Sequence, residues 1–179
     1  MKKSSSKAMS AAQKVALVGI MAATVECGKL VLAAVPNVEV VTLLLAIYGY
    51  AFGWLGILAA AVVGCIEPVM WGFGSWMVSY FIYWPLVAFV FLMLGRARVK
   101  NRFVLALIAV SLSALFGVLT SLVDVGLFMG RFDNFVYRFS ILYMRGVPFY
   151  LTQIICNAVL FLTVFPFLSK KLLHFAKRK

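Results

Sequence analysis

Four ionisable residues lie within or at the edges of apolar stretches, where a charge is costly. Glu26 and Lys29 are three positions apart and so share one face of a helix. Glu67 precedes Pro68, and Asp124 lies near the end of another apolar stretch. A charge within a membrane is costly unless it is paired or faces a polar cavity. These residues therefore form either the wall of a binding cavity or, for Glu26 and Lys29, an internal ion pair.

A stripe of aromatic residues follows a glycine-punctuated loop over 71–75 that begins with Trp71. The stripe places its members on one face of a helix, at i, i+4, i+7 and i+8: Trp76, Tyr80, Tyr83 and Trp84. An interfacial aromatic belt explains the tryptophans nearest the loop. The deeper tyrosines need hydrogen-bond partners, and the alternative is a cavity wall for a large, flat ligand.

The longest predicted connector, residues 129–145, mixes charged and aromatic side chains. A plain connection between helices needs only a few residues. This composition is typical of a lid or recognition loop, and a solvated loop with local salt bridges is the alternative. Its candidate ligand-binding residues are Asp133, Tyr137, Arg138, Tyr143 and Arg145.

Small residues form a stripe on the first predicted helix, within a narrow arc at about 100° per residue. Small side chains let membrane helices approach closely. We expect a partner subunit to dock here, whereas the small residues of 49–53 and 56–64 serve packing within the chain. The expected docking residues are Ala12, Ala16, Gly19 and Ala23.

The composition identifies an all-α integral membrane protein. Hydrophobic residues make up 65% of the chain and charged residues 12%, with a mean hydropathy of +1.06. Soluble domains are far less apolar. Because a spanning helix needs about 20 residues, the 179 residues allow a single domain of six helices. The predicted helices cover 11–35, 38–52, 54–69, 76–94, 103–128 and 147–168, with basic tails over 1–10 and 169–179.

The basic residues predict the orientation. Thirteen of the 17 lie before or at the start of the first helix, between the fourth and fifth, or after the sixth, and no acidic residue accompanies them. Cytoplasmic connectors are rich in Lys and Arg, which predicts that both termini are cytoplasmic. The net charge of +12 therefore reports orientation, and we expect no nucleic-acid partner. The five acidic residues then lie in the outer half or outside.

Motifs for energy coupling and hydrolysis are absent from the sequence. It has no GxxxxGK[ST] phosphate loop, no HExxH and no GxSxG. The single histidine, His174, lies in the basic tail. We therefore expect no enzyme activity, no metal site and no cofactor bound by the chain itself.

The chain resembles the substrate-binding S-components of energy-coupling factor (ECF) vitamin transporters over nearly its whole length. The resemblance is most specific from Pro36-Asn37-Val-Glu39-Val-Val-Thr42 to Gly72-Phe-Gly74-Ser-Trp76, and then at Tyr80 and Trp84-Pro85. This pattern is similar to the branch of S-components that includes the cobalamin-specific ones.

The resemblance implies a subunit of the bacterial plasma membrane that captures a vitamin from outside. Cobalamin is the vitamin that the resemblance favours. The lid would include residues 35–39, with Asn37 and Glu39 among the binding residues. A coupling transmembrane subunit and two ABC-type ATPases would use ATP to deliver the vitamin inward. Ala12 and Ala16 match the AxxxA motif with which this family meets its coupling subunit.

Three alternatives remain open. The same role for another vitamin or precursor, such as pantothenate, is the first. A self-sufficient ion-coupled carrier would use Glu26, Glu67 and Asp124, although no inverted repeat is evident. The third is a membrane scaffold or small membrane enzyme.

The orientation can be tested by thiol labelling. In a variant without the three native cysteines, Lys100→Cys should resist a membrane-impermeant maleimide in intact cells and react after lysis. Asn134→Cys should react in intact cells and serves as the control. Labelling of Lys100→Cys from outside would reverse the predicted orientation.

Overall fold

The computed structural model describes residues 9–35, 38–129 and 133–177, and the regular structure in these ranges is entirely helical. A π-helical turn, Asp124–Phe128, continues the fifth helix. The all-α prediction is thus confirmed for the described residues. The helices are α1 (Ala11–Leu32), α2 (Val41–Phe52), α3 (Trp54–Trp71), α4 (Trp76–Arg96), α5 (Arg102–Val123) and α6 (Phe135–Lys177).

Within the described ranges, five helices are long and apolar enough to cross a membrane: α1, α3, α4, α5 with its π-turn, and α6. Their outward faces carry large apolar side chains such as Val31, Val69 and Leu107, which are 80%, 82% and 66% exposed. Water-facing surfaces rarely carry so much contiguous apolar area. These faces suit lipid, and we assign the chain to the helical membrane proteins.

The helix α2 is too short to span. Its 12 residues extend about 18 Å, against a hydrocarbon thickness of about 30 Å. Nine of its residues are buried, because α1, α3, α4 and α6 all pack against it. A helix enclosed by protein can be apolar all round. The span predicted over 38–52 is therefore a short central helix that begins at Val41.

Glycines allow α2 to pack closely against its neighbours. A Cβ atom on Gly49 would collide with the carbonyl oxygen of Ala88 in α4. One on Gly56 of α3 would collide with the backbone of Tyr48 in α2. These contacts confirm, for Gly49 and Gly56, the prediction that small residues of 49–53 and 56–64 serve packing within the chain.

The predicted connector over 129–145 is wrong for most of its length, because α6 begins at Phe135 and runs for 43 residues. At about 1.5 Å per residue, α6 is about 65 Å long and extends well beyond the predicted span of 147–168. Phe135, Phe139 and Tyr143 stack in sequence, with centroid distances of 6.5 and 5.9 Å. Their i, i+4 spacing is the sequence signal for this helical extension.

The other helix boundaries agree with the prediction to within three residues when the π-turn is counted with α5, apart from the C-terminal end of α6. The helix α1 ends at Leu32 because residues 33–35 turn toward α2. The helix α5 begins at Arg102, where the Asn101 side chain accepts hydrogen bonds from the Phe103 and Val104 amides. Such a cap satisfies amides that have no partner within the helix.

The close packing of α2 can be tested with a matched pair of glycine substitutions. Gly49→Ala should destabilise the protein by about 1–3 kcal/mol, because the new methyl group meets backbone that cannot rotate away. Gly19→Ala, which meets nothing within 4 Å, should be neutral or stabilising by up to about 1 kcal/mol. Denaturant unfolding in detergent micelles measures both, and equal effects would contradict the packing.

Candidate ligand-binding cavity

A cavity of about 540 Å³ lies at the end of the bundle where Glu39 and Glu67 are found, which we call the acidic end. Every helix contributes to its lining, as does the connector between α1 and α2. This volume is typical of sites that enclose a small molecule. Aromatic rings, two carboxylates, the Lys29 ammonium and the Gln153 amide line it, together with apolar side chains.

Aromatic rings from α4 form one wall of the cavity. Tyr80 stacks on Trp84 with a centroid distance of 4.1 Å and contacts Trp76 at 5.1 Å. Phe116 of α5 extends this wall, 6.0 Å from Tyr80. Tyr83 differs from the rest of the predicted stripe, because it is buried against Phe116 and does not line the described cavity.

Lys29 lies at the centre of the charged wall. Its ammonium forms an ion pair with Glu67 of α3, whose side chain is 1% exposed. The same ammonium is 5.4, 5.5 and 5.9 Å from the ring centroids of Trp71, Tyr80 and Trp84. Rings within about 6 Å of a cation attract it. Of the two alternatives for Glu26 and Lys29, the internal ion pair is not formed, because the partner of Lys29 is Glu67 on a different helix.

Glu26 is buried beside this pair without a partner of its own. It is 7% exposed, and neither of its carboxylate oxygens accepts a hydrogen bond from a described residue. It lies within electrostatic reach of both Glu67 and Lys29, but it is not part of the cavity lining described. The Lys29 ammonium thus lies near two carboxyl groups and pairs with Glu67.

Hydrogen bonds from described residues hold Glu39. One carboxylate oxygen accepts from the Thr42 amide at 2.8 Å, and the other from the Thr42 hydroxyl at 2.5 Å. That second oxygen also accepts from the side-chain amides of Gln153 at 3.3 Å and Asn157 at 3.1 Å. Asn157 donates further to Ser113 of α5 at 2.9 Å. This network connects the start of α2 to α5 and α6.

Gln153, Asn157 and Phe116 were not predicted from the sequence. The two amides are four residues apart in the apolar part of α6, so they share a face. Polar residues are rare inside membrane helices and usually functional. Their presence in this stretch is the signal that identifies them. Phe116 has no comparable signal, because it is one of 16 phenylalanines.

The remaining predicted residues do not line the cavity in the described structure. Those on α6, from Tyr137 to Arg145, lie about 12–24 Å along the helix axis from Gln153, because that segment is helical. Asp133 is exposed before α6, and Asn37 lies outside the described residues. The positions concerned on α6 and the π-turn are Tyr137, Arg138, Tyr143, Arg145 and Asp124.

The predicted docking stripe on α1 is uncovered. All four of its residues are exposed, and a Cβ atom on Gly19 would meet nothing within 4 Å. The described helices of the chain therefore do not use this face for their own packing. Its members are Ala12, Ala16, Gly19 and Ala23.

At the opposite end, where the basic residues lie, the bundle is filled. Tyr50, Phe91, Phe161 and Phe165 are buried and pack ring against ring, with centroid distances of 5.0 to 5.5 Å. The Tyr50 hydroxyl also donates to the Val99 carbonyl in the α4–α5 connector, at 2.8 Å. The arrangement is a cavity at one end above a packed core.

Comparison of the chain with protein-family models, curated proteins and solved structures found no match. The functional argument therefore rests on the chemistry of the cavity.

The Glu39 network can be tested by its effect on stability. Glu39→Ala should destabilise the protein by about 2–5 kcal/mol, because the buried Gln153 amide loses its described acceptor and the buried Asn157 amide keeps only Ser113. Asp133→Ala, at an exposed position, should change the stability by less than about 0.5 kcal/mol. Unfolding in detergent micelles measures both variants. A stable Glu39→Ala protein would show that the network is dispensable.

Proposed function

We propose that this chain is the substrate-binding subunit of an ECF-type importer of the bacterial plasma membrane. It captures a vitamin-sized solute at its acidic end, outside the cell, and both termini are cytoplasmic. A coupling transmembrane subunit and two ABC-type ATPases then deliver the solute inward. The chain performs no chemistry of its own.

The observation that carries this proposal is the one-ended cavity. It combines an aromatic wall, an ion pair and hydrogen-bonded carboxylates in a volume suited to a small molecule. The buried rings at the basic end leave the cavity above a packed core rather than a pore. Such a chain suits capture of a solute, and transport then requires a partner that moves it.

The uncovered stripe of α1 supports the need for a partner. A membrane helix that exposes only small residues on one face lets another helix approach its backbone closely. Because the chain also lacks a phosphate-binding loop, energy from ATP must come from other subunits. The coupling subunit is the partner that the family resemblance suggests for this face.

The candidate vitamins differ in how they would fit. Cobalamin, which the resemblance suggests, would place one end in the cavity and extend beyond its mouth, because a corrinoid is large for about 540 Å³. Its contacts would be with rings and hydrogen-bonding groups, since the one histidine is His174 in the basic tail. A smaller vitamin or precursor, such as pantothenate, would fit within the cavity.

A self-sufficient ion-coupled carrier is the second candidate. The observation that favours it is Glu26, a buried carboxylate without a hydrogen-bond donor among the described residues. Buried carboxylates in membranes often carry protons or ions. Solute uptake by the chain alone in liposomes, driven by a pH gradient, would favour this candidate over the importer subunit.

The importer proposal can be tested on the α1 stripe. Ala16→Trp should prevent assembly with the coupling subunit and ATPases while leaving the solute that co-purifies with the isolated chain unchanged. The reason is steric, because the new ring covers a face that the cavity does not use. Pull-down of the complex and mass spectrometry of bound solute are the two measurements.

Leu107→Trp is the matched control, at an exposed position of α5. It should preserve both assembly and solute binding. Loss of solute in Ala16→Trp, or equal loss of assembly in both variants, would refute the assigned role of the α1 stripe.

A further inference from the structure

Two buried carboxyl groups and one paired cation lie beside the cavity. Glu26 and Glu67 are 7% and 1% exposed, and Lys29 is the single cation paired to either of them among the described residues. Both oxygens of Glu26 and the Oε1 atom of Glu67 lack a hydrogen-bond donor from the described residues. A buried charge needs a counter-charge or several donors. The site therefore has acceptor atoms to spare, which a second cation or donor would satisfy.

The rings around the same point favour positive charge. Trp71, Tyr80 and Trp84 all lie within 6 Å of the Lys29 ammonium, and Glu67 completes the enclosure. The face of an aromatic ring is negative, so it attracts cations and repels anions. Lys29 reaches this enclosure on a flexible side chain that remains 26% exposed. The enclosure is thus a cation site occupied by the end of a flexible, partly exposed side chain.

We propose that the cavity binds a flat organic cation, a ligand whose ring carries a positively charged nitrogen, and that the ligand replaces the Lys29 ammonium. The ligand cation pairs with Glu67 and stacks on the Tyr80 and Trp84 wall. Lys29 moves to Glu26, which is on the same face of α1, three residues away. Two carboxylates then face two cations. This inference rests on the proposed function and names its class of substrate.

An anionic ligand is the opposing case. It would have to pair with Lys29, which already has Glu67 as its partner. It would also place negative charge against three ring faces and beside the buried carboxylates Glu26 and Glu67. Each of these contacts is unfavourable. The cation and anion cases predict opposite effects for the same substitutions.

Tryptophan fluorescence can measure binding directly. Three of the four tryptophans line the cavity, and the fourth, Trp54, contacts Phe89 elsewhere. In a Trp54→Phe background, the emission therefore reports the cavity alone. The probes are 1-methylnicotinamide, nicotinamide and nicotinate, which share one pyridine ring and are cationic, neutral and anionic. The cation should bind at least about tenfold more tightly than the anion.

Two substitutions distinguish a cation-binding cavity from an anion-binding one. Glu67→Gln should weaken binding of the cation by about tenfold or more, because it removes the paired carboxylate. Lys29→Met should tighten it several-fold, because the competing ammonium is gone while the apolar side chain keeps similar length. A gain in affinity cannot come from misfolding, so this variant decides the case even where Glu67→Gln is unstable. Asp124→Asn, outside the described cavity lining, should leave binding unchanged.

The other outcomes overturn the proposal in distinguishable ways. Tighter binding of nicotinate in Glu67→Gln, together with its loss in Lys29→Met, would establish an anion site. Equal binding of all three probes would remove the charge preference. In both cases the cavity still binds a solute, and the proposed function stands. If no probe changes the emission and no solute co-purifies with the chain, the proposed function fails as well.

Discussion

Two buried carboxyl groups, Glu26 and Glu67, and the half-buried Glu39 lie at the acidic end, and their surroundings differ. Glu39 accepts hydrogen bonds from Thr42, Gln153 and Asn157, and Glu67 is paired with Lys29, while Glu26 has neither kind of partner among the described residues. An uncompensated buried charge is costly. These contacts therefore hold the connector to α6 and α1 to α3, and they leave the Glu26 carboxyl group beside the cavity without a described partner.

The short helix α2 creates room for this site. It is anchored toward the basic end, where the Tyr50 hydroxyl binds the Val99 carbonyl, and it is about 12 Å shorter than the hydrocarbon layer. Longer helices surround it, so the space beyond Val41 is bounded by protein on the sides. The connector and the aromatic wall occupy this space. The cavity is therefore a consequence of one helix being shorter than its neighbours.

Much of the candidate site could be predicted, because its residues violate the apolar pattern. Lys29, Glu67 and the aromatic stripe of α4 are conspicuous in such a sequence, and all contribute to the lining apart from the buried Tyr83. The charged and aromatic segment after residue 129 misled the prediction. Its polarity suggested a loop, whereas its i, i+4 rings form a helical extension. Hydropathy indicates whether a segment can lie within a membrane. It does not indicate where the helix that contains the segment ends.

The sequence alone determined that the chain is helical, that it belongs in a membrane and where the five segments long enough to cross it lie. These properties depend on local composition, since an apolar segment must satisfy its own backbone hydrogen bonds in lipid. Only the tertiary structure decided that Lys29 pairs with Glu67 rather than Glu26, and that the amides of α6 bind Glu39. Such pairings join residues 38 to 118 positions apart. They depend on how helices pack and rotate against one another, which no local pattern specifies.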